Sequence, residues 1–217
     1  MNDFLNVTVN TRLGSGLQFG GAVDTGRTVN DACFNVDSPG AVATALPGVS
    51  ATAAPFTATT VNGQPICHIV TPFKAQTQVK MFWSYPVPFG IAVSGVFQSL
   101  SGPQVVASYT ASNAQIAPSL GRNLAACGTL AVCTATVTVP LVAPQTLFAG
   151  RNNRLDLRLT KLIHLGPKAL VKGNVDVYNL LNRSAVLVLN TTYGSAWQKP
   201  IVILDGRLFQ LSAQLTF

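Results

Sequence analysis

The chain has 217 residues, of which 10% are charged and 48% are hydrophobic, with a net charge of +7 and a mean hydropathy of +0.37. A typical soluble domain is about 25% charged, so the composition argues against an ordinary charged surface in water. The length permits one all-β domain or two small ones. The N-terminus lacks the basic and apolar regions of a signal peptide, which leaves either a cytoplasmic protein or one whose true start lies upstream.

Several function classes are disfavoured by what the sequence lacks. The two histidines, His68 and His164, and the seven acidic residues fall into no catalytic or metal-binding spacing. The sequence therefore predicts no enzyme and no catalytic, cofactor-binding or metal-ligating residue. Six basic residues lie close together, but no aromatic interleaving accompanies them, so no nucleic-acid partner is predicted. These six are Arg151, Arg154, Arg158, Lys161, Lys168 and Lys172.

Alternation with period two dominates the chain, which predicts an all-β protein. The uncharged stretch 123–150 contains two prolines and a Thr/Val alternation, and is not predicted to be a spanning helix. Seven strands are predicted, the fourth with a bend near Gly102 and Pro103. In chain order they are 4–12, 17–30, 76–86, 90–112, 154–165, 169–182 and 207–217.

The connections between these strands alternate strictly between short and long. Short turns are predicted near 13–16, 86–89 and 166–168, and long loops at about 31–74, 113–153 and 183–200. All short turns would then lie at one end of the strands and all long loops at the other. The first two long loops contain the cysteines, whose even number suits disulfides formed in an oxidising compartment. The candidate pairs are Cys33 with Cys67 and Cys127 with Cys133.

This sorting of loops is typical of outer-membrane barrels, which have short periplasmic turns, long outer loops and strands that alternate apolar-out and polar-in. Leu155, Leu157 and Leu159 share one parity and are predicted to face lipid. The predicted lumen-facing residues are Arg154, Asp156, Arg158, Lys172, Asp176 and Tyr178. Aromatic residues near strand ends suit the two interfacial girdles: Phe4, Tyr85, Phe89, Phe209, Phe217 and Trp197.

Seven strands are too few to close a barrel, which takes about eight. An open sheet would also leave unpaired edges in lipid. The sequence is therefore predicted to be a single segment, 1–217, of an antiparallel up-and-down transmembrane β-barrel with further strands elsewhere. We expect the end of the sequence to be a true C-terminus, and Met1 to be either an internal start or the edge of an incomplete gene model.

Three stretches carry a resemblance to a known family. They are "DVYNLLN" at 176–182, "TTYGSAWQKP" at 191–200 and "ILDGRLFQLSAQLTF" at 203–217. Together they resemble the C-terminal end of TonB-dependent outer-membrane receptors of the Oar-like kind, which have a carboxypeptidase-regulatory-like domain at the N-terminus. Upstream pieces such as "VSGVFQSLSGPQ" and "NNRLDLRLTKLI" are similar to preceding strands of those proteins, so the likeness spans nearly the whole chain.

The resemblance implies a porin-like, 22-stranded barrel in the outer membrane of a Gram-negative bacterium, plugged by an N-terminal domain. Such a receptor imports large or scarce nutrients with energy transmitted by TonB. The plug and the TonB-contacting region are absent from this sequence. The implied partners are outer-membrane lipid and lipopolysaccharide, the rest of the barrel and plug, the TonB complex, and the outer-membrane assembly machinery. The assembly signal would be Phe209, Leu211, Ala213, Leu215 and Phe217.

Two alternatives stay open beside the transporter. One is a surface β-protein without a transport function, either adhesin-like or a small barrel completed by oligomerisation. The other concerns the basic lumen residues Arg154, Arg158 and Lys172. They could attract an anionic solute, or they could form ion pairs with Asp156, Asp176 and the plug. Pairing is the favoured interpretation.

Overall fold

The computed structural model describes residues 1–31, 33, 60–61, 64–65, 68–130 and 132–217. Seven strands in this part form a continuous antiparallel path, and each strand pairs with its neighbours along the path. They are β1 (Asn2–Arg12), β2 (Gln18–Asp31), β6 (Gln78–Val87), β7 (Ile91–Leu100), β10 (Asn152–Leu165), β11 (Ala169–Tyr178) and β14 (Leu208–Thr216). The predicted all-β class and the up-and-down antiparallel arrangement are confirmed. β1 and β14 are the two ends of the path and do not pair with each other.

Shorter elements lie in the connections. The strands are β3 (Thr60–Val61), β4 (Gln64–Pro65), β5 (His68–Thr71), β8 (Ser108–Ser112), β9 (Thr136–Pro140), β12 (Val186–Leu189) and β13 (Pro200–Ile203). The helices are α1 (Phe73–Gln76), α2 (Asn113–Leu120) and one 3-10 turn at Ala125–Cys127. None of the helices in the described residues is long and apolar enough to cross a membrane.

The connections along the sheet alternate in length. The segments 13–17, 88–90 and 166–168 are short, whereas 32–77, 101–151 and 179–207 are long. Because successive strands of the path are antiparallel, the three short turns lie at one end of the sheet and the three long connections at the other. Glycines with positive φ stand where two of the short turns need them: Gly16 at 84° and Gly166 at 75°.

Two predicted strands end earlier in the structure. The fourth was predicted to continue to Ser112, but β7 ends at Leu100. Pro103 cannot donate to a strand ladder, and a side chain at Gly102 would collide with backbone carbonyls of Ala149 and Gly150. Residues 108–112 instead form β8, which pairs with β9 inside the second long connection.

The sixth strand was predicted to continue to Asn182, but β11 ends at Tyr178. Asn179 and Asn182 adopt left-handed conformations, with φ of 49° and 48°, which asparagine tolerates and an extended strand does not. The region 31–74 was predicted to contain no strand pair. The structure contains a strand pair within this region, β3 with β4. It also pairs β5 with the end of β2, from Thr28 opposite Thr71 to Asp31 opposite His68.

The registers of the seven strands give the sheet one apolar face and one polar face. Directly paired residues lie on the same face, and every pairing joins odd-numbered residues to odd and even-numbered to even. The odd face is formed largely by Leu, Val, Ile and aromatic side chains. Much of it is exposed, including Phe209 at 64% and Leu211 at 77%.

The sheet itself has no closed apolar core. The buried hydrophobic side chains of the described residues are Val105, Ala107, Ala111 and Cys127, and all four lie in the second long connection. On the polar face, by contrast, Thr160 and Asp176 are buried. The arrangement is therefore the reverse of a soluble sandwich, whose inner faces are apolar.

Candidate functional site: the polar face of the sheet

One row of the polar face runs across all seven strands with a polar residue from each. The row is set by the strand registers, and its members are Arg12, Gln18, Ser84, Ser94, Arg158, Asp176 and Gln210. The Oγ of Ser94 donates to Ser84 over 2.9 Å. Because each strand contributes one of these groups at the same level, the row forms a continuous hydrophilic band.

Two ion pairs dominate the charge of this face. Arg158 contacts both carboxylate oxygens of Asp176, with N–O distances of 2.5 and 3.1 Å, and Asp176 is only 3% exposed. Arg154 lies 2.9 Å from the carboxylate of Asp156. Three basic residues were candidates for attracting an anionic solute: Arg154, Arg158 and Lys172. Arg154 and Arg158 are each paired with a carboxylate of the same sheet, whereas Lys172 forms no ion pair with a described residue.

All six residues predicted to face the lumen share this polar face. Tyr178 lies beneath the guanidinium of Arg154, with its ring centroid 6.0 Å away, and its hydroxyl donates to Gln210 over 3.1 Å. Lys172 lies opposite Gln214. The structure brings Arg154, Asp156 and Tyr178 together, whereas Lys172 lies six residues away from Tyr178 along β11.

A second polar chain crosses β10, β11 and β14 nearer the short turns. Thr160 donates to Asn174 over 2.9 Å, and Asn174 donates to Ser212 over 3.1 Å. Alternation along the sixth predicted strand placed Asn174 among the polar residues of that strand. It did not indicate that Asn174 joins a chain of side-chain hydrogen bonds. Such cross-strand hydrogen bonds stabilise a sheet pair by roughly 0.2–1 kcal/mol.

Asn179 connects the polar face to the long connection between β11 and β14. Its backbone N–H donates to Asp156 over 2.8 Å, and its amide donates to the carbonyls of Arg183 and Asp205 over 2.9 and 2.7 Å. The amide oxygen accepts from the Arg183 backbone over 3.0 Å. Asn179 was not singled out from the sequence; its place in the Tyr-Asn-Leu-Leu-Asn stretch, directly after a strand, was the available signal.

Phe82 is an aromatic residue in the middle of the polar face, where it pairs with Val96 of β7. Two clefts meet at its ring. One, of about 360 Å³, is lined on the polar face by Ser84, Ser94, Val96, Asp156, Arg158, Asp176 and Tyr178. The other, of about 350 Å³, is lined there by Asn10, Arg12 and Gln18. Alternation along the third predicted strand placed Phe82 on the polar side of that strand, and no role was predicted for it.

The second and third long connections pack against each other. The backbone N–H of Ser108 donates to Thr191 and that of Tyr193 donates to Ser108, over 2.9 and 2.8 Å. The indole of Trp197 donates to the carbonyl of Val106 over 3.0 Å. Trp197 was predicted to join an interfacial girdle, and the structure instead places it in this contact between loops.

The cysteines are described in part. Cys127 and Cys133 form a disulfide with a Cα–Cα distance of 5.4 Å within the second long connection. Cys33 is also disulfide-bonded, while Cys67 lies outside the described residues. No group of three or more His, Cys, Asp or Glu side chains that could hold a metal ion occurs among the described residues.

The residues of the proposed assembly signal lie on the opposite, apolar face. Phe209, Leu211, Ala213 and Leu215 are opposite Val177, Val175, Gly173 and Val171 of β11. Phe217 follows β14 and is 96% exposed. Phe4, which was predicted to lie in an aromatic girdle, has even parity and packs over Gly26 on the polar face.

Comparison of the chain with protein-family models and with curated proteins finds no match.

Proposed function

We propose that the chain is an arc of an outer-membrane β-barrel transporter, with the apolar face toward lipid and the polar face toward an aqueous lumen. The observation that supports this proposal is the shared parity of the seven strands. A one-residue shift in the register of any strand would turn its apolar side chains toward the lumen. No such shift occurs among the seven strands. Exposed residues such as Leu211 gain an apolar environment only if lipid or a partner covers this face.

The distribution of charge supports the same orientation. Charged residues of the odd face within the seven strands are Asp3, Arg27, Asp31 and Lys161. Asp3 and Arg27 form an ion pair of 3.2 Å near the long-connection end. Lys161 donates to the carbonyl of Phe89, in a short turn, over 2.5 Å. A charge on the lipid face costs roughly 2–4 kcal/mol at the midplane and little near the interface, so neutralised or terminal charges fit a lipid face.

The strand directions favour an arc of a larger barrel over a ring of copies of this chain. Seven antiparallel strands leave β1 and β14 running in the same direction. A second copy placed in the same orientation would offer β14 a parallel partner. An antiparallel barrel that contains this sheet therefore needs an odd number of further strands between β14 and β1, and the barrel total is even, as in bacterial outer-membrane barrels.

The transporter assignment within outer-membrane barrels depends on the resemblance of residues 176–182, 191–200 and 203–217 to TonB-dependent receptors. On this proposal the lumen is polar, the long connections lie outside the cell and the short turns lie in the periplasm. Import of large or scarce nutrients would need the plug and the TonB-contacting region of the whole receptor. The chain described here would supply part of the wall and part of the outer loops.

Two neighbouring cysteine substitutions test the orientation. We expect Leu211→Cys in the membrane-inserted chain to react with a lipid-phase maleimide and to resist a membrane-impermeant one. Ser212→Cys, the matched control one residue away, should show the opposite preference. Equal reaction of both positions with the impermeant reagent would contradict a lipid-facing odd surface.

The genomic DNA upstream of the Met1 codon tests the transporter assignment. We expect an open reading frame that encodes a plug domain and an odd number of further strands. A stop codon and promoter directly upstream would contradict the assignment.

A further inference from the structure

The aromatic ring of Phe82 lies over the backbone of Gly20 and is half exposed. Phe82 pairs directly with Gly20, and a Cβ at Gly20 would collide with its ring. The ring therefore covers backbone that only glycine leaves free, yet Phe82 remains 51% exposed. Its partner on the other side is Val96, and an exposed apolar patch bordered by polar groups is a feature of ligand sites.

The groups around this ring are mainly uncharged hydrogen-bonding groups, and the charges of the larger cleft are balanced. Ser84 and Ser94 lie on one side of Phe82, and Asn10 and Gln18 lie on the other. The charges of the larger cleft are Asp156, Arg158 and Asp176, with Arg154 paired to Asp156, so these four sum to zero.

A ligand that fits this surface has an apolar ring face and many hydroxyl groups, and carries no net charge. The flat aromatic ring offers C–H stacking, while serine hydroxyls and carboxamides bond to hydroxyls. Arg12, in the smaller cleft, adds donors at its edge. Each cleft is at the lower end of the size range of small-molecule sites, roughly 300–1,000 Å³, and Phe82 lines both.

We propose that Phe82 and the two adjoining clefts form a subsite for a neutral saccharide, with a sugar ring stacked on Phe82 and its hydroxyls bonded by Ser84, Ser94 and Gln18. This deepens the proposed function, on which it rests, because it assigns a solute class to the polar face of the lumen. The site spans two clefts, so it takes an oligosaccharide of more than one ring.

The test measures binding of cellohexaose and maltohexaose to the folded chain in detergent, by saturation-transfer NMR and calorimetry. We expect saturation of sugar ring protons, and a Kd that rises roughly 2- to 12-fold in Phe82→Ala, the range expected for loss of one aromatic contact. Phe82→Trp should retain binding. Phe4→Ala is the matched control, since Phe4 also packs over a glycine on the polar face but lines neither cleft.

Circular dichroism first confirms that each variant keeps its strand content. Absence of binding of both sugars to the wild-type chain would overturn the subsite, as would an equal loss of affinity in Phe4→Ala. Binding of a neutral hexapeptide with the same dependence on Phe82, without sugar binding, would overturn the saccharide assignment. These results are separable from the cysteine-labelling test, because labelling reports on the odd face and sugar binding on the even one.

Discussion

Replacing Asn179 with alanine should destabilise the junction between the sheet and the loop that joins β11 to β14. The side chain is 3% exposed and makes three hydrogen bonds, two as donor and one as acceptor. Each bond contributes about 0.5–1.5 kcal/mol. Alanine at φ of 49° adds about 1–2 kcal/mol of left-handed strain. We therefore expect Asn179→Ala to lower the free energy of unfolding by roughly 3–5 kcal/mol.

Two further variants separate the contributions. Asn179→Gly removes the side-chain bonds without the strain, and should be about 1–2 kcal/mol more stable than the alanine variant. Asn182→Ala is the matched control, since Asn182 has nearly the same φ but its side chain accepts only one bond, from the backbone of Arg207 over 3.0 Å. It should cost about 2 kcal/mol.

Urea unfolding in lipid vesicles, followed by tryptophan fluorescence, measures these differences. Trp197 reports on the loop, because its indole donates to the Val106 carbonyl. If Asn179→Ala loses no more stability than Asn182→Ala, the three side-chain bonds do not hold the loop and the reasoning is refuted.

Three other perturbations have defined outcomes. Arg158→Ala leaves the buried carboxylate of Asp176 unpaired and should lower the free energy of unfolding in urea by about 3–5 kcal/mol. The double variant Arg158→Ala/Asp176→Ala should recover part of this loss. A double variant less stable than Arg158→Ala alone would contradict the pairing. Gly95→Ala drives a Cβ into an indole ring and should cost about 1–3 kcal/mol, whereas Gly173→Ala, on the same face with nothing within 4 Å, should be nearly neutral. Asp31 accepts the backbone N–H of Cys33 over 3.1 Å and lies 3.0 Å from the ring of His68, its partner in β5. Asp31→Ala should therefore weaken the pairing of β2 with β5, measured as faster hydrogen exchange at Asn30 and Ile69; unchanged exchange would contradict a role for these contacts.

The strands of the sheet were predictable because their signal is local. Alternation alone assigns Leu155 and Leu157 to one face and Arg154 and Asp156 to the other, and the registers keep that assignment across the sheet. The order of short and long connections was equally visible, since turn residues such as Gly166 stand between periodic segments. These features need no knowledge of which strand pairs with which.

The loops and the site were less predictable because they depend on contacts between distant residues. Nothing near Ser108 in the sequence indicates that it bonds to Thr191. Likewise, alternation along the strand indicates which face Phe82 occupies, but only its pairing with Gly20 shows that its ring covers glycine backbone. The same holds for Phe4. Its position near a strand end suggested an interfacial aromatic girdle, whereas its pairing and its contact with Gly26 place it on the polar face.

The charges on the polar face bear on how a lumen of this kind treats a solute. If Arg154 and Arg158 were unpaired, an anion would bind them strongly and leave slowly. Their pairing with Asp156 and Asp176 lowers the field at the surface and leaves serine, carboxamide and aromatic groups as the main contacts. Contacts of that kind contribute modestly one at a time, so a solute can exchange between them along the wall. On the proposed orientation, a wall on which these two arginines are neutralised therefore suits passage of a neutral solute better than retention of an anion.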